Sequence, residues 1–369
     1  MVGRSLLISL ATCLSLVVTA QAGEITQFFV GYSPDGGPEI NGCSGHGQDL
    51  ANAWRQLGPL ASAAHKAILA LEKPQPPGDD FDEARWNWNN NARMILETLA
   101  VGIDPATGGP VDEPGMDERW KYVKQIVEDI TFAWDNNHLP ALSANPEQIQ
   151  MNFLFCGDKG WHKLRPTAIF PDTNPPQTFA EFSVDGQVLL PDGAWWFNGL
   201  MVKVFPDQNK DAPNMCDGRV SAVSIFYLNA IVICDPIWNA EVTIREMVPE
   251  SAIKEDQYIF GVAQSVTGTL YHEMAHLVGL RRYGNLYDQP FYNDDGTPMM
   301  DSNGQPVLTY GPAKCVALAK MRPDLVYKSA DCYLYFAVSA FYSKFDWSSL
   351  QAKSRSPPRV IPPGVRPPT

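Results

Sequence analysis

Residues 272–276 read His-Glu-Met-Ala-His. In an α-helix, residues four apart share a face and are displaced by about 6 Å along the axis, so both imidazoles can reach one metal ion. Glu273 projects beside them, where its carboxylate can take a proton from an attacking water. Neutral imidazoles suit a zinc ion, and the H-E-x-x-H order is the one in which the glutamate acts as general base in hydrolysis. Only six histidines occur in the chain. A chance match is therefore uncommon, on the order of a per cent.

These residues need a helix to hold them, and the spacing predicts one over 265–284, SVTGTLYHEMAHLVGLRRYG. Val266, Leu270, Met274, Leu277 and Arg281 form one stripe, and His272 and His276 another, which suits packing on one side and ligands on the other. Gly279 and Gly284 bracket its end, with Arg281 and Arg282 near the negative pole. A catalytic zinc takes three protein ligands and keeps one position open. No histidine follows His276 and no glutamate follows Glu273. A third histidine and a downstream glutamate are thereby removed, and the acidic candidates left are Asp288, Asp294, Asp295, Asp301, Asp324, Asp331 and Asp346.

The compartment is legible at the N-terminus. Arg4, an apolar run over 6–18 and Ala20-Gln21-Ala22 together read as a signal peptide over 1–22, cleaved before Gly23, which predicts a secreted, extracellular protein with no membrane anchor. Cys13 leaves with the leader and six cysteines remain. In an oxidising compartment they read as up to three disulfides, with local pairs Cys216–Cys234 and Cys315–Cys332 leaving Cys43–Cys156. No C-x-x-C occurs, so a cysteine zinc site is disfavoured. The net charge of −13 disfavours nucleic acid and anionic membranes as partners.

Along the chain, residues 23–148 form an N-terminal helical region. Helical spacing begins near Gly47 and includes Leu50, Trp54, Leu57, Ala61, Ala64, Ile68 and Leu71, with Pro59 expected to break or kink the helix. A second helix is expected over about 82–100. A third carries Trp120, Val123, Val127, Ile130 and Trp134. His46, His65 and His138 read as structural or surface residues, and His162 as a surface one. Residues 149–350 form the catalytic region. Short β-prone runs, among them AVSIFYL and AIVICD, precede the H-E-x-x-H helix. A turn-rich excursion, YNDDGTPMMDSNGQPV, follows it and reads as a hairpin or surface loop. Helices are then expected over 312–321 and from 329 to about 345, and a proline-rich disordered tail over 351–369.

Between about 221 and 343 the chain resembles the deuterolysin-type and lysine-specific metallo-endopeptidase families, the aspzincins, secreted enzymes typical of fungi. The leader, HEMAH at 272–276, Tyr310-Gly311 ahead of a helix and SADCYLYFA at 329–337 carry the resemblance. AIVICDPIW at 230–238 is similar to the cysteine-containing strand these enzymes place before the active helix. The resemblance implies an α+β, zincin-like fold, mainly helical with a small, mostly antiparallel sheet. It also implies Zn²⁺ as cofactor, an aspartate as third ligand, and Tyr310 as donor to the oxyanion, with Tyr283 a weaker candidate for that role. The family pattern G-T-x-x-D-x-x-Y-G places its aspartate three residues before the tyrosine, where this chain has Val307. An insertion restores the pattern. Asp288, in LYDQPF, is then the third metal ligand after His272 and His276, with Asp301 or no protein ligand as alternatives.

The expectation is a monomeric secreted zinc endopeptidase acting on protein or peptide substrates, with Glu273 and Tyr310 catalytic. A substrate peptide would lie extended in the cleft and pair with an edge strand from residues 221–235. The alternative is a catalytically inactive binding protein of the same fold, motivated by the displaced aspartate. A zinc hydrolase acting on a non-peptide bond also fits the motif.

Overall fold

The computed structural model describes residues 24–29, 42–79, 82–140, 152–169 and 246–354, with shorter stretches between 174 and 238. The leader and residues 355–369 lie outside the described residues. The chain is α+β. It opens with a short turn of helix, α1 (Ile25–Phe28), and three long helices, α2 (Gly47–Leu71), α3 (Glu83–Leu99) and α4 (Met116–Asn136). Each follows the apolar spacing of its sequence. Asp82 caps α3 by accepting from the amides of Ala84 and Arg85. α2 runs through Pro59 without ending. At that point Gly58 lets the Trp134 ring approach where a Cβ would lie 2.2 Å from it. Trp134 Nε1 donates to the Trp54 carbonyl at 3.0 Å, so the partner helix α4 supports the backbone around the proline.

The strands follow: β1 (Phe153–Cys156), β2 (Trp161–Leu164), β3 (Ser183–Val184), β4 (Gln187–Val188), β5 (Ala194–Phe197), β6 (Val202–Val204), β7 (Ala222–Ile225) and β8 (Ala230–Ile233). β2, β5 and β6 make one antiparallel sheet, β3 and β4 a hairpin, and β1, β8 and β7 the sheet that matters for the site, in that order. β7 runs antiparallel to β8, but β1 pairs parallel to it, Phe153 opposite Ala230. This sheet is therefore mixed, where mostly antiparallel pairing was expected. A strand that enters from the helical region rather than from a hairpin can lie parallel to its neighbour. Disulfides Cys43–Cys156 and Cys216–Cys234 hold the ends of β1 and β8.

The second half supplies α5 (Ile259–Ala263), α6 (Val266–Tyr283), α7 (Pro312–Met321) and α8 (Ala330–Phe341), with a closing hairpin of β9 (Phe345–Asp346) and β10 (Lys353–Ser354). The last helix stops four residues before the expected end. Trp347 is wholly buried, and its Nε1 donates to the Tyr342 carbonyl at 3.1 Å, which turns the chain out of the helix. Pairing in the closing hairpin likewise orders residues 353 and 354, within the expected tail. The main core joins both halves of the chain: Trp54 and Ile68 of α2, Val123 and Ile130 of α4, Leu270 and Met274 of α6, and Phe336 and Val338 of α8 belong to one cluster, beside a smaller one around Phe155 and Trp161. No described helix is long and apolar enough to cross a membrane.

Candidate metal centre

α6 begins at Ser265, whose hydroxyl accepts from the Gly268 amide at 3.0 Å, and ends at Gly284 in the left-handed conformation, φ 69°. Every residue of the helix from Val266 to Leu280 except Thr269 is buried, so the expected division into a packing face and a ligand face is absent. The neighbours are α2, α4 and α8, with β7. Only small residues allow such close quarters. A Cβ at Gly268 would lie 2.1 Å from the Ala263 carbonyl oxygen, and one at Gly279 would lie 2.4 Å from the Leu286 Cβ.

The contact at Gly279 matters for the site. It lets the chain after Gly284 fold back against α6, where the Leu286 carbonyl oxygen lies 2.9 Å from His276 Nδ1. Two residues on, Asp288 reaches the rings: its Oδ1 stands 3.3 Å from His272 Nε2 and 3.2 Å from His276 Nε2. The two Nε2 atoms are 3.0 Å apart. Among the described residues, His272, His276 and Asp288 form the one set of three or more histidine, cysteine or acidic side chains that converges in this way.

The outer nitrogens fix the tautomers. His276 Nδ1 faces a carbonyl oxygen and His272 Nδ1 faces Asp331 Oδ1 at 3.1 Å, so neutral rings carry their protons there. Both Nε2 lone pairs then point at Asp288 Oδ1, which is buried and accepts no hydrogen bond. Three acceptor atoms pressed together are unfavourable without a cation between them. A tetrahedral ion with bonds of about 2.0–2.1 Å has ligands about 3.3–3.4 Å apart, close to the observed triangle. Two imidazoles and one carboxylate are also the donor set of a zinc site, so the residues present fit the ion.

Burial works against all three charges here. A ring that takes a proton in place of a cation is attracted to the Asp288 carboxylate, and this outweighs burial, holding His272 well above and His276 above the ordinary imidazole range, and the Asp288 carboxyl well below the carboxylate range. The Tyr310 hydroxyl donates to Asp288 Oδ2 at 2.7 Å. The residue is half exposed, but desolvation of its hydroxyl and that carboxylate push its ionisation far up, so it stays a donor.

Glu273 is buried beside the rings, and its Oε2 accepts from the Ser224 hydroxyl at 2.6 Å. The excursion between Asp288 and Tyr310 folds as a small meander, with Phe291 N bonded to the Val307 carbonyl and Met299 N to the Phe291 carbonyl. It brings its two ends together, so Asp288 and Tyr310, 22 positions apart in the chain, close into one contact. Asp301 lies within that meander, where its Oδ1 accepts from the Asn303 and Gln305 amides, and it is not part of the cluster. Tyr283 stacks on Tyr122 with centroids 4.1 Å apart. His46 stacks on Trp238 at 3.9 Å.

Asp331 and Ser224 are the site residues that spacing did not single out. Asp331 stood among seven aspartates with nothing to mark it as a support for His272. Ser224 did leave a trace, as a lone hydroxyl within the apolar run AVSI. The expected pair Cys315–Cys332 is not bonded; both thiols are buried and free, Cys315 on α7 and Cys332 on α8. No protein-family model matches the chain, and no curated protein is similar to it in sequence.

Proposed function

We propose that the chain is an exported, zinc-dependent endopeptidase of zincin-like fold, acting on protein or peptide substrates. The observation that carries this reading is the convergence of His272 Nε2, His276 Nε2 and Asp288 Oδ1 around a point that no protein donor fills. Zinc held there would polarise the scissile carbonyl and make water acidic enough to attack near neutral pH. Glu273, one residue from the first ligand and buried beside it, takes the proton of the attacking water and delivers it to the leaving amine. Tyr310 is held with its hydroxyl proton available, and it turns from Asp288 to the oxygen on which negative charge develops. Asp331 keeps the His272 ring in the tautomer that presents Nε2.

The peptide lies along β7. That strand is the last of its sheet among the described residues and packs against α6. An extended backbone added to it is held in register by main-chain hydrogen bonds.

The test is zinc content together with casein cleavage. The purified protein is expected to bind one zinc per chain. Glu273→Gln should keep the metal and lose about 10²–10⁴-fold in kcat. Asp288→Ala should lose both metal and activity. A folded protein that stays metal-free under saturating zinc, or cleavage undiminished in Glu273→Gln, would overturn the reading.

A further inference from the structure

We infer that Ser224, on strand β7, is the positioning residue for the general base. The inference rests on the hydrolase reading of Glu273 and adds a residue that the H-E-x-x-H pattern does not contain.

Alternation along β7 puts Ser224 on the helix side. Ile225 belongs to the cluster with Phe155, Trp161 and Val232, and Val223 packs against it, whereas Ala222 packs against the main core. Ser224 therefore shares the Ala222 face, toward α6. Its register partner on β8 is Ile231. From that position its Oγ lies 2.6 Å from Glu273 Oε2 and 3.0 Å from the Glu273 carbonyl oxygen.

A hydroxyl has one proton and two acceptors here. The carboxylate takes it, because a bond to an ionised acceptor is shorter and about twice as strong as one to a neutral carbonyl. Ser224 is the one side chain that hydrogen-bonds Glu273 among the described residues. The carboxylate is buried within the packed surroundings of α6. Pinning Oε2 fixes the plane of the carboxylate and leaves Oε1 to face the attacking water. The strand that would carry the substrate backbone thus also sets the base, so peptide register and base orientation come from one element. Proton transfer is steep in geometry, and a misplacement of about 1 Å can cost on the order of 10²-fold.

The experiment compares Ser224→Ala and Ser224→Thr with the parent and with Glu273→Gln, all zinc-loaded. Ser224→Ala is expected to bind zinc with unchanged stoichiometry and affinity and to melt within a few degrees of the parent. Its kcat should fall about 10- to 100-fold while KM stays within about twofold. Ser224→Thr keeps the hydroxyl and should recover most of kcat. A crystal structure of zinc-loaded Ser224→Ala should show the Glu273 carboxylate in more than one rotamer. Full kcat in Ser224→Ala beside an inactive Glu273→Gln would overturn this inference alone. So would parallel loss of zinc and kcat that threonine does not rescue, since that marks packing rather than positioning. Full activity in Glu273→Gln would instead overturn the hydrolase reading on which it stands.

Discussion

Asp331 accepts from His272 Nδ1 with one oxygen and, at 2.6 Å, from the Gly311 amide with the other. A single carboxylate therefore orients a ligand ring and anchors the backbone next to Tyr310. Removing it should cost twice over. Asp331→Ala frees the His272 ring to rotate or change tautomer, and the zinc dissociation constant should rise about 10- to 100-fold in a chelator competition titration. At saturating zinc its kcat should still fall, because Gly311 and Tyr310 lose their anchor. Asp301→Ala serves as the comparison and should leave zinc affinity unchanged. The two histidines and Glu273 were legible at this scale because one helical turn fixes their relation. Asp288 was legible only through elimination and resemblance. Asp331 and Ser224 were not, since their contacts join segments 59 and 49 residues from the histidine and glutamate they touch.

The elements were read well wherever local chemistry decides them. The Ser265 cap, the Gly284 terminus and the Pro312 start of α7 are written in neighbouring residues, and the structure follows them. The failures are tertiary. Periodicity could not show that α6 is enclosed on all sides, because its burial is made by α2, α4, α8 and β7. Nor could it show that Trp347 draws the chain out of α8 early. Gly279 is where these levels meet, since its missing Cβ is what admits Leu286 and so delivers Asp288. Gly279→Val leaves the helix intact in principle, at a propensity cost of well under 1 kcal/mol in either direction. Its side chain nevertheless collides with Leu286 and pushes the return segment away. Zinc stoichiometry should fall well below one per chain while far-ultraviolet circular dichroism stays near that of the parent. Full zinc binding in a folded Gly279→Val protein would show that Asp288 reaches the rings without this close approach.

At the scale of the molecule, the helical region and the region that carries the His272, His276 and Asp288 cluster share one interior. α2 packs on α4, α6 and α8, and α3 on α7 and α8, so the first three long helices form the wall behind the site. The join is polar as well as apolar. Asp129 on α4 is buried and bonded through both oxygens to Arg282 at the end of α6, with Arg282 Nη2 2.8 Å from Oδ1. Tyr122 donates to Asn285 Oδ1 at 2.8 Å, on the very segment that returns to place Asp288. A fragment of residues 149–354 would retain every residue of the H-E-x-x-H site. It would also expose the buried faces of α6 and α8 and leave Arg282 without its partner. Domains of ordinary stability are folded by only about 5–15 kcal/mol, so the loss of a shared apolar interior leaves no margin. The fragment is therefore expected to be insoluble, or to show no cooperative melting transition and no stoichiometric zinc. Refolding with residues 23–148 supplied as a separate chain should restore both if the shared interior is what was missing. A fragment that melted cooperatively and held one zinc by itself would instead show that the wall is dispensable and that the sheet, α6 and α8 form a self-sufficient metal-binding unit.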